Sequence, residues 1–381
     1  MIGAGVFVAL APAAEAAGAG LLLGLAIAAG VAYCNAISSA RLAARYPASG
    51  GTYVYGRERL GEFWGYLAGW GFVVGKTASC AAIALTIGFY TWPAHAHVVA
   101  VGAVAVVTAI NWVGIQKSAI ATFVLVGVVL AVLAAVVVLV FTSGAADFER
   151  IQLGGHAGGV LQAAGILFFA FAGYARIATL GAEVRDPART IPMAIQIALG
   201  ITLVVYAAVA VAALSMLGSD GLSRATAPLV EVVAVAGLPE FVPVVRAGAA
   251  LAALGSLLTL TLGVSRTTFA MASDHHLPHG LSAVHPRFKV PHRAEFAVAV
   301  IVAAITAFAD IRHAIGFSSF AILAYYAIAN ASAATMGRRL VPAFGFVGCL
   351  LLAFALPFSS VLAGAAVLAA GALVYGMRRT S

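Results

Sequence analysis

An all-α integral membrane protein is the fold class this sequence predicts, and three observations carry it. The chain of 381 residues is 63% hydrophobic and only 9% charged. Its mean hydropathy is +1.06, far outside the range of soluble domains. Its apolar residues are gathered in long unbroken runs rich in Ala, Val, Leu and Gly. Such runs cross roughly 30 Å of hydrocarbon as helices, whereas barrel strands would be shorter and would alternate.

The net charge of +8 at first suggests a polyanionic partner. Placing the basic residues along the chain removes that reading. Arg41, Arg45, Arg57, Arg59, Lys117, Arg185, Arg189 and every basic residue from Arg287 onward except Arg312 fall in alternate loops and at the C-terminus. Arg150, Arg224, Arg246 and Arg312 fall in the opposite loops. The asymmetry reports topology: the richer side, with the C-terminus, is expected in the cytoplasm of a cell membrane. Nucleic acid is not expected as a partner; the lipid bilayer is. Cys34, Cys80 and Cys349 sit in apolar runs without metal or redox spacing and are expected to pack. The apolar start at Ile2 lacks the charged leader and cleavage site of a signal peptide.

Taken in order, the chain opens with a short apolar helix expected to end near Pro12, half a span in length. The second span is expected over 20–42, followed by a loop turned by Pro47, Gly50 and Gly51. The third span, 63–92, holds Lys76 about fourteen residues from its cytoplasmic end, near the midplane at 1.5 Å per residue. Spans four and five cover 98–112 and 118–141, the sixth 158–180 and the seventh 191–216. The mixed segment 218–243 is expected to place a helix over the mouth of a cavity. The eighth span is 244–271, and the last four are 296–308, 314–336, 341–356 and 359–375.

The whole is organised around Phe168 to Ile177, where an apolar helix meets Gly173 and then a full charge, Arg176, inside the membrane. Irregular backbone at that depth is tolerated only where it lines a cavity. A kinked structural helix with Arg176 reaching the interface is the plainer alternative. Gly-interrupted segments open both the first five spans and the next five. Five spans per unit invert the second unit relative to the first, the pattern of an inverted-repeat carrier.

With these residues in place the sequence resembles the amino acid, polyamine and organocation (APC) transporter superfamily, close to bacterial amino acid permeases. Gly3-Ala4-Gly5-Val6-Phe7 resembles its unwound first helix. Pro47, Gly50, Gly51, Tyr53 and Tyr55 resemble its P-x-x-G-G-x-Y-x-Y loop. Phe169 to Gly173 resembles the F-x-F-x-G of its sixth helix, followed by Glu183, Val184, Pro187 and Pro192 in an E-V-x-x-P-x-x-x-x-P pattern. The resemblance implies one transporter domain over 1–381. Within it, a first inverted repeat spans 1–142, a second spans 158–336, and two extra helices occupy 340–377. It also implies a substrate held between the first and sixth helices. The family's first helix has a cytoplasmic half with no counterpart after Met1, so a truncated first helix, from a late start or a fragment, is expected.

Chemistry agrees with that placement. Unpaired amides of Gly3, Ala4 and Gly5 at the start of a half-helix suit a carboxylate. Freed carbonyls of Phe169, Ala170 and Ala172, with Met1, suit an α-ammonium; Gly173 marks the break, and the family resemblance makes Phe169 a lid. Where many relatives have a carboxylate, this chain has Tyr174 and Ala175 followed by Arg176. The fifth span also lacks the lysine by which some relatives replace sodium. Lys76, Arg176 and Tyr174 are therefore the coupling or gating candidates. Lys76 can exchange a proton or be a fixed structural charge, and Arg176 can gate or pair with Glu183.

No cofactor is expected beyond a coupling proton. The group Asp274, His275, His276 and His279 is near metal-ligand spacing, but Pro278 and Gly280 indicate a solvated turn, so no metal is expected. Enzyme chemistry is not assembled anywhere; Gly3-Ala4-Gly5 lacks the setting of a phosphate loop. A secondary active carrier of amino acids is the expectation. Neutral substrates are favoured, because no carboxylate lies well inside a span apart from Glu15 near the outer edge. Polyamine or other organocation carriage is the alternative, and a channel or receptor the more distant one. Ser79, Thr259 and Ser318 are candidates for specificity.

Overall fold

The computed structural model describes residues 2–46, 50–113, 119–151, 156–174 and 187–380, without the side chains of 119–121, 174, 187–189, 191, 192, 379 and 380. Met1, Lys117, Arg176, Glu183 and Asp186 lie outside these residues. Among the described residues every regular element is helical.

The chain begins with two short helices, α1 (Gly5–Val8) and α2 (Leu10–Ala17), then α3 (Leu21–Arg45) and α4 (Thr52–Leu60). The long α5 (Glu62–Thr91), α6 (Ala96–Trp112) and α7 (Ala119–Thr142) complete the first part. After them come α8 (Ala157–Phe171), α9 (Pro187–Arg224), α10 (Pro228–Val235), α11 (Val242–Ser273) and α12 (His292–Phe308). The chain closes with α13 (Ile311–Ala334), α14 (Leu340–Ala355) and α15 (Phe358–Thr380). Eight helical stretches among the described residues are long and apolar enough to cross a membrane, and α8 and α14 are shorter apolar helices. The molecule is a multi-pass membrane protein.

Helix α1 does not end at Pro12. It pauses at Ala9 and resumes as α2 to Ala17. Pro12 has no N–H to give the Val8 carbonyl, which breaks the ladder there, yet its ring is tolerated in the first turn of the new helix. Of the expected sixth span, 158–180, the helix α8 runs to Phe171 and a tight turn follows over Ala172–Tyr174; positions 175–180 lie outside the described residues. Helix α12 begins at His292, four residues ahead of the expected Phe296, so Glu295 lies within it and is fully buried.

Helices α5 and α13 form the centre, packed on each other, with α11 and α12 also against α5 and α14 against α13. Small residues permit this closeness, since lipid offers no hydrophobic drive for helix association and contact must come from packing. Helix α3 lies on α8 through Gly24, where a Cβ would sit 3.0 Å from the Ala164 nitrogen and 3.2 Å from the Ala163 Cβ. Buried polar side chains lock the same layer. The Asn330 amide donates to Asn35 Oδ1 at 2.6 Å, and the Cys349 thiol donates to the same oxygen at 3.3 Å. Cys349 therefore joins α3, α13 and α14 by hydrogen bonding as well as by packing.

Arginines fasten the basic end. Arg41 on α3 donates to the carbonyls of Met336, Gly337 and Arg338, and Arg59 on α4 donates to Thr335 through both its carbonyl and its hydroxyl. Two cations thus meet the carbonyl end of α13, where the helix dipole favours positive charge.

Candidate functional site

Two interrupted helices meet at the middle of the bundle. Gly5 of α1 lies so close to α8 that a Cβ there would be 2.6 Å from the Ala170 Cα and 2.7 Å from its Cβ. A Cβ at Gly3 would collide with the Ser256 hydroxyl of α11 at 2.3 Å. Any larger side chain would push the helices apart. Gly3, Ala4 and Gly5 are buried. Being at the start of α1, their amides have no intrahelical acceptor, which is the condition for anion binding at a helix N-terminus.

The facing element supplies carbonyls, two of which are already engaged. The Lys76 ammonium, 6% exposed in the centre of α5, donates to the Ala172 carbonyl at 3.4 Å. The Tyr206 hydroxyl of α9 donates to the Ala170 carbonyl at 3.2 Å. Lys76 thus sits where the sequence suggests the substrate's ammonium, on a carbonyl released by the break. No carboxylate lies within ion-pair distance of it among the described residues. Phe169 is half-buried and packs against both large apolar clusters, one holding Phe7 and Phe168 and the other Ala4, Cys80 and Leu257. Gly173 is exposed. Tyr174 is placed by its backbone alone, and Met1 and Arg176 fall outside the described residues.

The structure brings Gly3, Ala4, Gly5, Phe169, Ala170, Ala172 and Lys76 together from stretches separated by up to about 170 positions. Ser79 and Ser318, expected as specificity residues, touch each other hydroxyl to hydroxyl between α5 and α13. The Thr259 hydroxyl is spent on the carbonyls of its own helix.

Sequence reasoning missed the two tyrosines that bracket the breaks. The Tyr90 hydroxyl donates to the Phe7 carbonyl at 2.8 Å, and it accepts from the Leu229 amide of α10 at 3.4 Å. The short α10, expected as a cover, packs against α1 at this point. A tyrosine within an apolar run must find a polar partner for its hydroxyl, and that was the available signal. Its partner was not legible.

Each end of the bundle is closed by polar contacts. At one end Arg312 of α13 pairs with Glu15 of α2 and donates to the Ser223 carbonyl at 2.6 Å. At the basic end Asp274, directly after α11, accepts from the Tyr53 hydroxyl at 2.6 Å and pairs with Arg57 at 2.8 Å. The single phenolic proton is thereby used. The 2.8 Å contact of Tyr53 with His276 Nδ1 then requires the imidazole to donate through Nδ1. Burial, with Asp274 beside it, pushes the Tyr53 hydroxyl above its ordinary pKa. Burial also holds the His276 imidazole below its usual value, against the opposing pull of Asp274. Asp274 and His276 thus serve a contact between helices. No group of three or more metal-ligating side chains is present among the described residues.

Known proteins fit this arrangement. The model of the amino acid permease family matches residues 1–378. An uncharacterized transporter of Mycobacterium tuberculosis (strain ATCC 25618 / H37Rv) is 70% identical over 387 residues, covering 100% of this chain and 88% of the relative. The branched-chain amino acid permease of Bacillus subtilis (strain 168) is 27% identical, with 77% of this chain and 68% of the relative aligned. Cationic amino acid transporter 4 of Homo sapiens is 27% identical, covering 86% of this chain and 56% of the relative. With the family model spanning nearly every residue, the two broken helices have a context: the chain belongs to the amino acid permease family of the APC superfamily, and it is a membrane transporter of amino acids, not an enzyme.

Proposed function

We propose that the protein is a secondary carrier of neutral amino acids, working by alternating access in the cell membrane, with its basic end and C-terminus in the cytoplasm. Helices α1 to α7 form one repeat of the proposed carrier and α8 to α13 its inverted partner, with α14 and α15 added. The substrate carboxylate takes the amides of Gly3, Ala4 and Gly5. Its ammonium takes the carbonyls of Phe169, Ala170 and Ala172, with Met1 completing the site, Gly173 giving the break its freedom and Phe169 closing over the ligand. Arg176 and Tyr174 remain gating candidates.

The observation that carries this reading is the Lys76 contact with the Ala172 carbonyl. Protonated Lys76 and a substrate ammonium compete for one acceptor, so binding the substrate favours loss of the proton from lysine. That links amino acid movement to proton movement or to exchange without any further cofactor. A buried cation without a carboxylate beside it also disfavours a second positive charge on the ligand. This sets the neutral reading above carriage of cationic amino acids, which the names of several relatives include.

Counterflow tests it. Proteoliposomes preloaded with unlabelled amino acids are given a labelled mixture, with competitors added singly. Saturable exchange blocked by neutral amino acids is expected; exchange blocked only by lysine and arginine would assign a cationic substrate, and a non-saturable flux would indicate a channel.

A further inference from the structure

Among the described residues, a group of five neighbouring arginines at the basic end has no carboxylate within ion-pair distance. Arg57, Arg150 and Arg312 each meet a carboxylate. Among the described residues, no carboxylate oxygen lies within ion-pair distance of Arg41, Arg45, Arg59, Arg338 or Arg339. These five are neighbours in space. Arg41 holds the turn that carries Arg338 and Arg339, Arg59 holds the residue ahead of that turn, and Arg45 is one helical turn beyond Arg41.

A second feature starts from the same residue. Between α3 and α9 runs a groove of about 150 Å³ whose walls include Tyr33, Ala36, Ile37 and Arg41 on α3 and Ile195 and Gln196 on α9. Tyr33 is 44% exposed and Gln196 is exposed, so the groove opens outward to the bilayer. From Arg41 to Tyr33 it follows α3 for about 12 Å, most of the depth of one leaflet. An apolar slot at leaflet depth, headed by uncompensated positive charge at the interface, matches one ligand in chain and head alike.

From this juxtaposition we infer that the molecule carries a binding site for an anionic phospholipid of the leaflet at its basic end. One acyl chain lies in the α3–α9 groove, and the phosphate lies among Arg41, Arg45, Arg338 and Arg339. Arg338 and Arg339 are exposed and have no ion pair among the described residues, so they supply most of the headgroup attraction. Arg41 joins headgroup to groove.

The test uses the full chain in vesicles, with Tyr33→Trp as a reporter in the groove and the native protein as background for its four tryptophans. The quenchers are acyl-brominated phosphatidylglycerol and acyl-brominated phosphatidylcholine, each titrated into plain phosphatidylcholine. Half-maximal quenching of the reporter is expected at about a five-fold lower fraction of the anionic lipid, the effect of roughly one effective basic contact. Adding Arg338→Gln and Arg339→Gln, both at exposed positions, is expected to bring the ratio to near one. Adding Ile37→Phe, which brings no second fluorophore of the reporter's kind, is expected to lower quenching by either lipid by narrowing the groove, and monodisperse elution checks that each variant is folded. Equal quenching by the two lipids in the native background would overturn the site. So would a preference that survives loss of both arginines, which would show a diffuse surface effect.

Discussion

The two broken helices solve opposite problems. At the first break, the chain pauses at Ala9 ahead of Pro12 and resumes after that single residue, and before this pause the amides of Gly3 to Gly5 at the front of α1 have no helical acceptor. At the second, α8 stops and releases carbonyls, two of which are taken at once by side chains from other helices, Lys76 and Tyr206. Among the described residues, no side chain from another helix hydrogen-bonds to the amides of Gly3, Ala4 and Gly5, which are buried. At the second break, the proposed ligand ammonium meets carbonyls that already have donors. One half of the proposed site is made of backbone alone, and the other carries side-chain donors, one of them an ammonium.

That difference can be broken most severely at Gly5. Gly5→Val places branched carbon where even a Cβ would be 2.6 Å from the Ala170 Cα. We expect loss of exchange, with destabilisation of at least about 1–3 kcal/mol for overpacking. Counterflow and thermal unfolding read it, and Gly102→Ala, where nothing lies within 4 Å of a new Cβ, is the matched substitution expected to behave as native. Next in size is Lys76→Met. Gradient-driven accumulation is expected to disappear while counterflow persists. Accumulation intact in the variant would remove Lys76 from coupling.

The paired tyrosines give a smaller and more selective effect. Tyr90→Phe leaves the Phe7 carbonyl and the Leu229 amide without their shared partner and should cost about 1–3 kcal/mol of stability. Tyr206→Phe frees a carbonyl at the proposed ammonium site. It should change half-saturation for an amino acid by about five-fold, the worth of roughly 1 kcal/mol, and leave a des-amino analogue unaffected. Equal responses at the two positions would mean that the two breaks are not specialised.

The smallest effect lies away from the breaks. Burial lowers the folded-state pKa of His276 below its ordinary value. Its neutral form therefore favours the folded contact with Tyr53 above pH 6.5. That contribution falls as pH drops below 6.5 through the lowered value. A modest decline of unfolding temperature below pH 6.5, absent in His276→Gln, is expected.

Much of this was legible in the chain. Long apolar runs allow one outcome in a bilayer, because unsatisfied backbone at that depth is prohibitive and helices satisfy it internally. The sequence therefore dictated an all-helical body, and Pro12 and the glycines near 3–5 and 173 marked its weak points. Boundaries were less visible. Pro12 is compatible with either ending a helix or sitting in the first turn of the next, and only the resumed α2 distinguishes them. The expected span began at Phe296, one residue past Glu295, yet tertiary packing buries Glu295 in α12.

Position along the chain also gave Lys76 its depth, since rise per residue is fixed in a helix. It could not give the direction of the ammonium. That depends on where α8 stops and how α5 is rotated against it, properties set by side-chain packing across hundreds of residues. The same holds for Tyr90 and Tyr206, whose need for a partner is local chemistry but whose partner is a long-range contact. By itself the sequence determined which groups are costly to bury; the tertiary structure decided what each of them meets, because hydrogen-bond geometry is fixed only when helices from distant parts of the chain have packed.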